Sequence, residues 1–110
     1  MNIGKLFQFK KYFWMLYPSK DIVAAVEALL DDPETAGWNE LGEISAAYVA
    51  SLSAYWSKRF NCNVSHIEPN SIFMLLEQDE KYCKILSTNG ELGWIILTDW
   101  RKNDIEEVNQ

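Results

Sequence analysis

Few side chains in this sequence could do chemistry. His66 is the only histidine, and Cys62 and Cys83 are the only cysteines. Cys62-x-x-x-His66 together with Cys83 offers three ligands of the kind that hold zinc, yet the spacing matches no strong zinc pattern and no fourth ligand is assigned. One imidazole cannot make a two-histidine metal site or a histidine relay. Either thiol could pair with His66 as an activated nucleophile, but no oxyanion-holding loop is visible around either cysteine. The sequence therefore favours a half-exposed histidine and two small apolar cysteines. It predicts no catalytic residue, no metal ligand and no cofactor.

Other reactive patterns are missing too. The five glycines are scattered, and none sits in G-x-G-x-x-G or G-x-x-x-x-G-K, so no phosphate cradle is expected. Carboxylates are frequent between Glu27 and Glu43, but nothing beside them suggests a substrate cleft or a raised pKa, which leaves a glycosidase reading unsupported. The N-terminus mixes lysines and aromatics (Lys5, Phe7, Phe9, Lys10, Lys11, Tyr12), a composition seen on single-stranded nucleic-acid platforms. The commoner use is a core built from the aromatics and an edge strand guarded by the lysines. A net charge of −6 repels phosphate, so no nucleic-acid partner is expected.

Charge is unevenly placed. Residues 1–20 carry Lys5, Lys10, Lys11 and Lys20 and no acid, whereas residues 21–47 carry Asp21, Glu27, Asp31, Asp32, Glu34, Glu40 and Glu43 and no base. Such a block complements a basic protein partner, speeding encounter and selecting against acidic surfaces. The leading expectation is a small acidic, non-catalytic interaction protein of immunity, inhibitor or accessory type, with Asp31, Asp32, Glu34, Glu40 and Glu43 as its contacts. A solvated helix face explains the same block. The first alternative is a ligand- or peptide-binding module whose aromatic groove is Tyr82, Trp94 and Trp100. The second is a small enzyme centred on Cys62, Cys83 or His66. Nothing in the pattern fixes an oligomeric state.

These side chains need elements to position them. A chain of 110 residues, 48% apolar and 24% charged, is one ordinary globular domain, 1–110, with a core that needs no disulfide. The run Tyr12 to Tyr17 is ended by Pro18, too short for a signal h-region or a membrane span. A soluble, cytoplasmic protein without a membrane partner is expected. KLFQF and YFWMLY read as strands with a turn or an exposed strand edge at Lys10-Lys11, and apolar runs this short also allow a helix. Ser19 is a good N-cap with Asp21 in the first turn, and Ile22, Val23, Val26, Leu29 and Leu30 form an amphipathic stripe until Pro33, which predicts a helix near 20–31. Leu41, Ile44, Tyr48, Leu52, Trp56 and Phe60 predict a second helix over 40–60, with Lys58 and Arg59 in its last turn and Asn61 left-handed at its end. Gly42 and the serines along it weaken that helix.

From Val64 the period changes to that of strands. IFMLLE, KYCKIL and LGWIIL are separated by Asp79-Glu80 and by Asn89-Gly90, and the latter pair predicts a hairpin with a type I′ turn. The last strand is apolar on both faces, so both should be covered, by core on one side and a helix on the other. Gly93 should supply a bend or a close backbone approach there.

The stretch IFMLLEQDEKYCKILSTNGELGWIIL resembles the central strands of bacterial Src-homology-three-like domains, which carry an apolar strand, an aromatic-containing strand and N-G-x-x-G-W followed by apolar residues. Asn89, Gly90, Gly93, Trp94 and Ile95 match that motif, and Tyr82 stands where the family often has an aromatic residue. The likeness covers about residues 68–100. The preceding segment lacks the family's usual opening strand and loop, and the segment after Trp94 lacks the Pro and Tyr of the eukaryotic peptide groove. The resemblance implies a small, strongly bent barrel and a peptide or cell-wall ligand. Together these readings predict an α+β fold: two helices packed on a bent antiparallel sheet of four or five strands, a small barrel of Src-homology-three-like type with a helical insertion. The segment Arg101 to Val108 should add a helical turn or a short strand.

Overall fold

Alternating burial builds the sheet. In a computed structural model, which describes residues 2–30, 46–97 and 101–108, Phe7 and Phe9 of β1 (Leu6–Phe9) point inward while Leu6 and Gln8 are only half-buried. After β1 come β2 (Trp14–Leu16), α1 (Lys20–Leu30), α2 (Ala46–Phe60), β3 (Ser65–Ile67), β4 (Ile72–Asp79), β5 (Tyr82–Ser87), β6 (Leu92–Ile96), a 3-10 turn (Arg101–Asp104) and β7 (Ile105–Glu107). The fold is α+β, as the sequence predicts.

Five strands form one antiparallel sheet in the order β6-β5-β4-β1-β7, and β2 pairs with β3 in a second, two-stranded sheet. Where the resemblance implies a barrel, no closed barrel is found among the described residues. The segment between β1 and β4 delivers β2 to the β6 edge, where Tyr17 and Trp94 exchange both backbone hydrogen bonds at 2.9 and 2.7 Å. The edge that closure would use is thereby partly taken. The bridge is possible because residue 93 is glycine: a Cβ there would lie 2.7 Å from both the Tyr17 carbonyl oxygen and Leu16 Cγ. The close approach expected of Gly93 is found.

Two apolar clusters flank the main sheet. On one face Phe7, Phe9, Phe73, Leu75, Ile85 and Ile95 meet Trp14, Leu16 and Ile67 of the small sheet. Phe9 stacks on Phe73 at 4.4 Å and on Trp14 at 4.8 Å between centroids. On the other, Val23 and Val26 of α1 and Trp56 of α2 gather with Tyr17 and Val64, and Tyr82, Trp94 and Ile96 pack against them. Strand β6 is thus covered on both faces along most of its length, core on one side and helix on the other. Its first residue, Leu92, stays 56% exposed.

The helix ends follow their sequence signals. Ser19 Oγ accepts the Ile22 N–H at 3.3 Å, the capping bond expected of it. At the end of α2, Asn61 has φ 49°, the Cys62 N–H reaches the Ser57 carbonyl at 3.0 Å and the Asn61 N–H reaches that of Lys58 at 3.4 Å. This is a Schellman motif without glycine. Two of the serines that weaken helix propensity have other work. Ser57 Oγ accepts the Val64 N–H at 2.8 Å and fixes the chain's path toward β3, and Ser53 Oγ donates to the Val49 carbonyl. Residues 31 and 40–45, at the limits predicted for the helices, lie outside the described residues.

The β5–β6 connection differs from the turn predicted. Asn89 does not have positive φ, Gly90 has φ 84°, and the Gly90 N–H donates to the Ser87 carbonyl at 3.0 Å. Ser87 pairs with Glu91 across three loop residues, which is a type I turn followed by a left-handed glycine. The extra residue lets Asn89 keep an ordinary conformation, so Gly90 alone carries the positive φ. Residues 101–108 form both of the expected alternatives, a 3-10 turn and then a strand.

Candidate binding cleft

A cleft of about 350 Å³ lies between β3 with its following loop and the β5–β6 turn, lined by Ser65, His66, Ile67, Glu68, Ser71, Ser87, Asn89 and Glu91. Each wall is fixed by backbone bonds. Loop 68–71 is tied to β1 by the Asn70 N–H to the Phe9 carbonyl at 2.7 Å and the Phe9 N–H to the Ser71 carbonyl at 3.0 Å. Asn70 takes φ 70°, which lets Glu68-Pro69-Asn70 turn back on itself. On the opposite wall the Ser87 N–H donates to the Glu91 carbonyl at 2.8 Å and the Glu91 N–H donates to Ser87 Oγ at 3.1 Å. The Thr88 N–H ties that turn to the Ile72 carbonyl at 3.1 Å.

Electrostatically the cleft is one-sided. Glu68 and Glu91 are exposed, no lysine or arginine lines it, and neither glutamate is in an ion pair among the described residues. Three other acids do have partners at the far end of the sheet: Lys20 with Asp79, Lys81 with Glu27 at 2.7 Å, and Lys84 with Glu77 at 3.5 Å. The cleft therefore presents two carboxylates without an ion pair beside hydroxyl, amide and imidazole groups, an arrangement that attracts cations and repels phosphate.

The residues that sequence reasoning selected are distributed as follows. Tyr82 and Trp94 do share a face, on neighbouring strands, but both are half-buried against the cluster under α1 and α2. Tyr82 donates its hydroxyl to Glu27 Oε1 of α1 at 2.9 Å, and its pKa is raised, first by burial and then by that bond. Trp100, Asp31, Asp32, Glu34, Glu40 and Glu43 lie outside the described residues.

The thiol and imidazole candidates do not assemble. Cys83 sits in the main core, where burial pushes its thiol up to about 11, and Cys62 is half-buried after α2 with its pKa raised for the same reason. His66 Nδ1 lies 3.4 Å from Ser53 Oγ, and its ring meets Phe13 edge-on at 6.1 Å. Among the described residues no three His, Cys, Asp or Glu side chains gather as a metal would require. No described helix is long and apolar enough to cross a membrane.

Sequence reasoning passed over Glu68, Ser87 and Glu91. Two of them flank the Asn89-Gly90 turn, and Glu68 precedes Pro69-Asn70. Turn chemistry was thus the available signal, because a turn that is fixed on both sides aims its flanking side chains. No family model, no curated protein and no solved structure matches the chain.

Proposed function

We propose that this protein is a small acidic, non-catalytic, cytoplasmic interaction protein that binds a basic protein partner. The observation that carries this reading is the cleft between β3 and the β5–β6 turn, whose two glutamates have no lysine or arginine in its lining and no ion pair among the described residues. The acidic block of residues 21–47 adds long-range attraction of the same sign. Exposed charges of this kind steer encounter more than they hold a complex together.

The Src-homology-three-like resemblance supports a scaffold role for the hairpin. Asn89-Gly90 and Gly93-Trp94 serve a turn and a close strand contact, and Tyr82 and Trp94 pack beneath helices. That placement favours a partner surface at the turn end of the hairpin over a groove across the two aromatics.

The test is affinity capture from the native host with wild-type protein and with a Glu68→Gln/Glu91→Gln variant. The expected result is a basic protein recovered by the wild type alone, with an association rate that falls steeply as salt rises. A salt-insensitive rate, or equal recovery by the variant, removes the reading.

A further inference from the structure

We infer that Asn89 is a site of spontaneous deamidation, gated by the hydrogen bonds of the β5–β6 turn. The inference is independent of the basic-partner reading. Asparagine is among the chemically labile residues, and of the eight in the chain Asn89 alone is followed by glycine. That neighbour matters because the nucleophile of the reaction is the backbone nitrogen of the next residue, and glycine has no Cβ to crowd it. Asn89 is exposed, and a Cβ built at Gly90 would meet no atom within 4 Å. The space beside the attacking nitrogen is therefore open.

The chemistry needs only water. The Gly90 nitrogen gives its proton to solvent base and bonds to Asn89 Cγ, and the side-chain nitrogen leaves as ammonia. Water then opens the resulting succinimide at one of its two carbonyls, giving aspartate or isoaspartate. In the folded turn that nitrogen is occupied, since the Gly90 N–H donates to the Ser87 carbonyl at 3.0 Å. Two further bonds close the same turn, from the Ser87 N–H to the Glu91 carbonyl at 2.8 Å and from the Glu91 N–H to Ser87 Oγ at 3.1 Å. Attack therefore waits for the turn to open, a local event that leaves the rest of the sheet paired. Either product adds a carboxylate to a cleft lining that already holds Glu68 and Glu91. Isoaspartate also lengthens the chain inside the Ser87–Glu91 pair by a methylene.

The test holds the full chain at mildly alkaline pH, in buffer or in guanidinium chloride, and follows every asparagine by peptide mass mapping and isoaspartate-specific methylation. In denaturant Asn89 is expected to react ahead of every other asparagine. In buffer it should react about tenfold or more slowly, because the turn's three bonds must first be broken. Gly90→Ala should slow the reaction in denaturant, where only the crowding of the nitrogen acts. Ser87→Ala removes the Oγ acceptor and should speed the reaction in buffer roughly fivefold. Another asparagine leading in denaturant, or a folded chain in which Asn89 never reacts, overturns the site. Equal rates in the two solutions, or a Ser87→Ala chain no faster than wild type in buffer, overturns the gating.

Discussion

The indole of Trp14 and the carboxylate of Asp104, 90 positions apart in sequence, are joined by a hydrogen bond of 2.8 Å from Nε1 to Oδ2. The same carboxylate accepts the Lys11 N–H at 2.7 Å and the Tyr12 N–H at 3.2 Å, and Asp104 is only 3% exposed. Three donors on one buried carboxylate make the β1–β2 corner and the 3-10 turn a single unit. Trp14 stacks in turn on Phe9, so the tie runs directly into the core.

Removing that acceptor should be costly. Asp104→Ala removes the carboxylate that accepts from three N–H groups, and the expected loss is about 3–5 kcal/mol of unfolding free energy, read by urea denaturation. Asp104→Asn keeps one acceptor oxygen and should lose roughly half as much. An alanine variant within about 1 kcal/mol of wild type would mean that water replaces the carboxylate there.

Glycines 90 and 93 stand in one hairpin for different reasons, and substitution separates them. Gly93→Ala places a methyl 2.7 Å from the Tyr17 carbonyl oxygen, a backbone atom that cannot swing aside. It should cost about 2–3 kcal/mol and loosen β2 from β6. Gly90→Ala meets no atom within 4 Å and is penalised only by φ 84°, an expected cost of about 1 kcal/mol. Amide exchange at Tyr17 and Trp94 distinguishes the two: it should accelerate in the first variant and stay protected in the second.

What the sequence reveals here is what nearest neighbours along the chain decide. Ser19, the α1 stripe, the left-handed Asn61 and the strand runs after Val64 all act within a few residues, and each is found. Asp104 was illegible because its donors sit about ninety positions away, and an aspartate in RKND looks like any solvated acid. The open edge of the sheet was hidden for a related reason. Whether β6 meets another strand or is left free depends on where the residues between β1 and β4 bring β2, and no local pattern encodes that. The cleft lay in plain view as turn residues, but its two walls come from segments twenty positions apart whose approach only the sheet register sets.

Alkaline pH should weaken the fold through Cys83 and Tyr82. Burial raises the Cys83 thiol from its ordinary 9.0 to about 11, and Tyr82 is raised above its ordinary 10.0 by burial and by Glu27. A raised folded pKa means that the unfolded chain releases its proton first. The stabilisation is therefore complete below about pH 9 and is lost as pH rises through about 11. Urea midpoints measured from pH 8 to pH 11 should fall, with a shallower fall in Cys83→Ala and a shallower one again when Tyr82→Phe is added. A flat wild-type profile contradicts the assignment.

Trp94 and Leu92 lie two residues apart on the same face of β6, and they separate an architectural hairpin from a binding groove. Trp94 packs with Tyr82 and Ile96 against the cluster of α1 and α2, whereas Leu92 is 56% exposed opposite Leu86. If Trp94 is part of the scaffold, Trp94→Ala should cost about 2–4 kcal/mol by urea denaturation, somewhat below the loss for a fully buried tryptophan because the ring is only half-buried. Leu92→Ala should stay within about 0.5 kcal/mol of wild type. A Trp94→Ala variant as stable as wild type would instead mark the ring as surface, and would return the aromatic face of β5 and β6 to contention as a ligand groove.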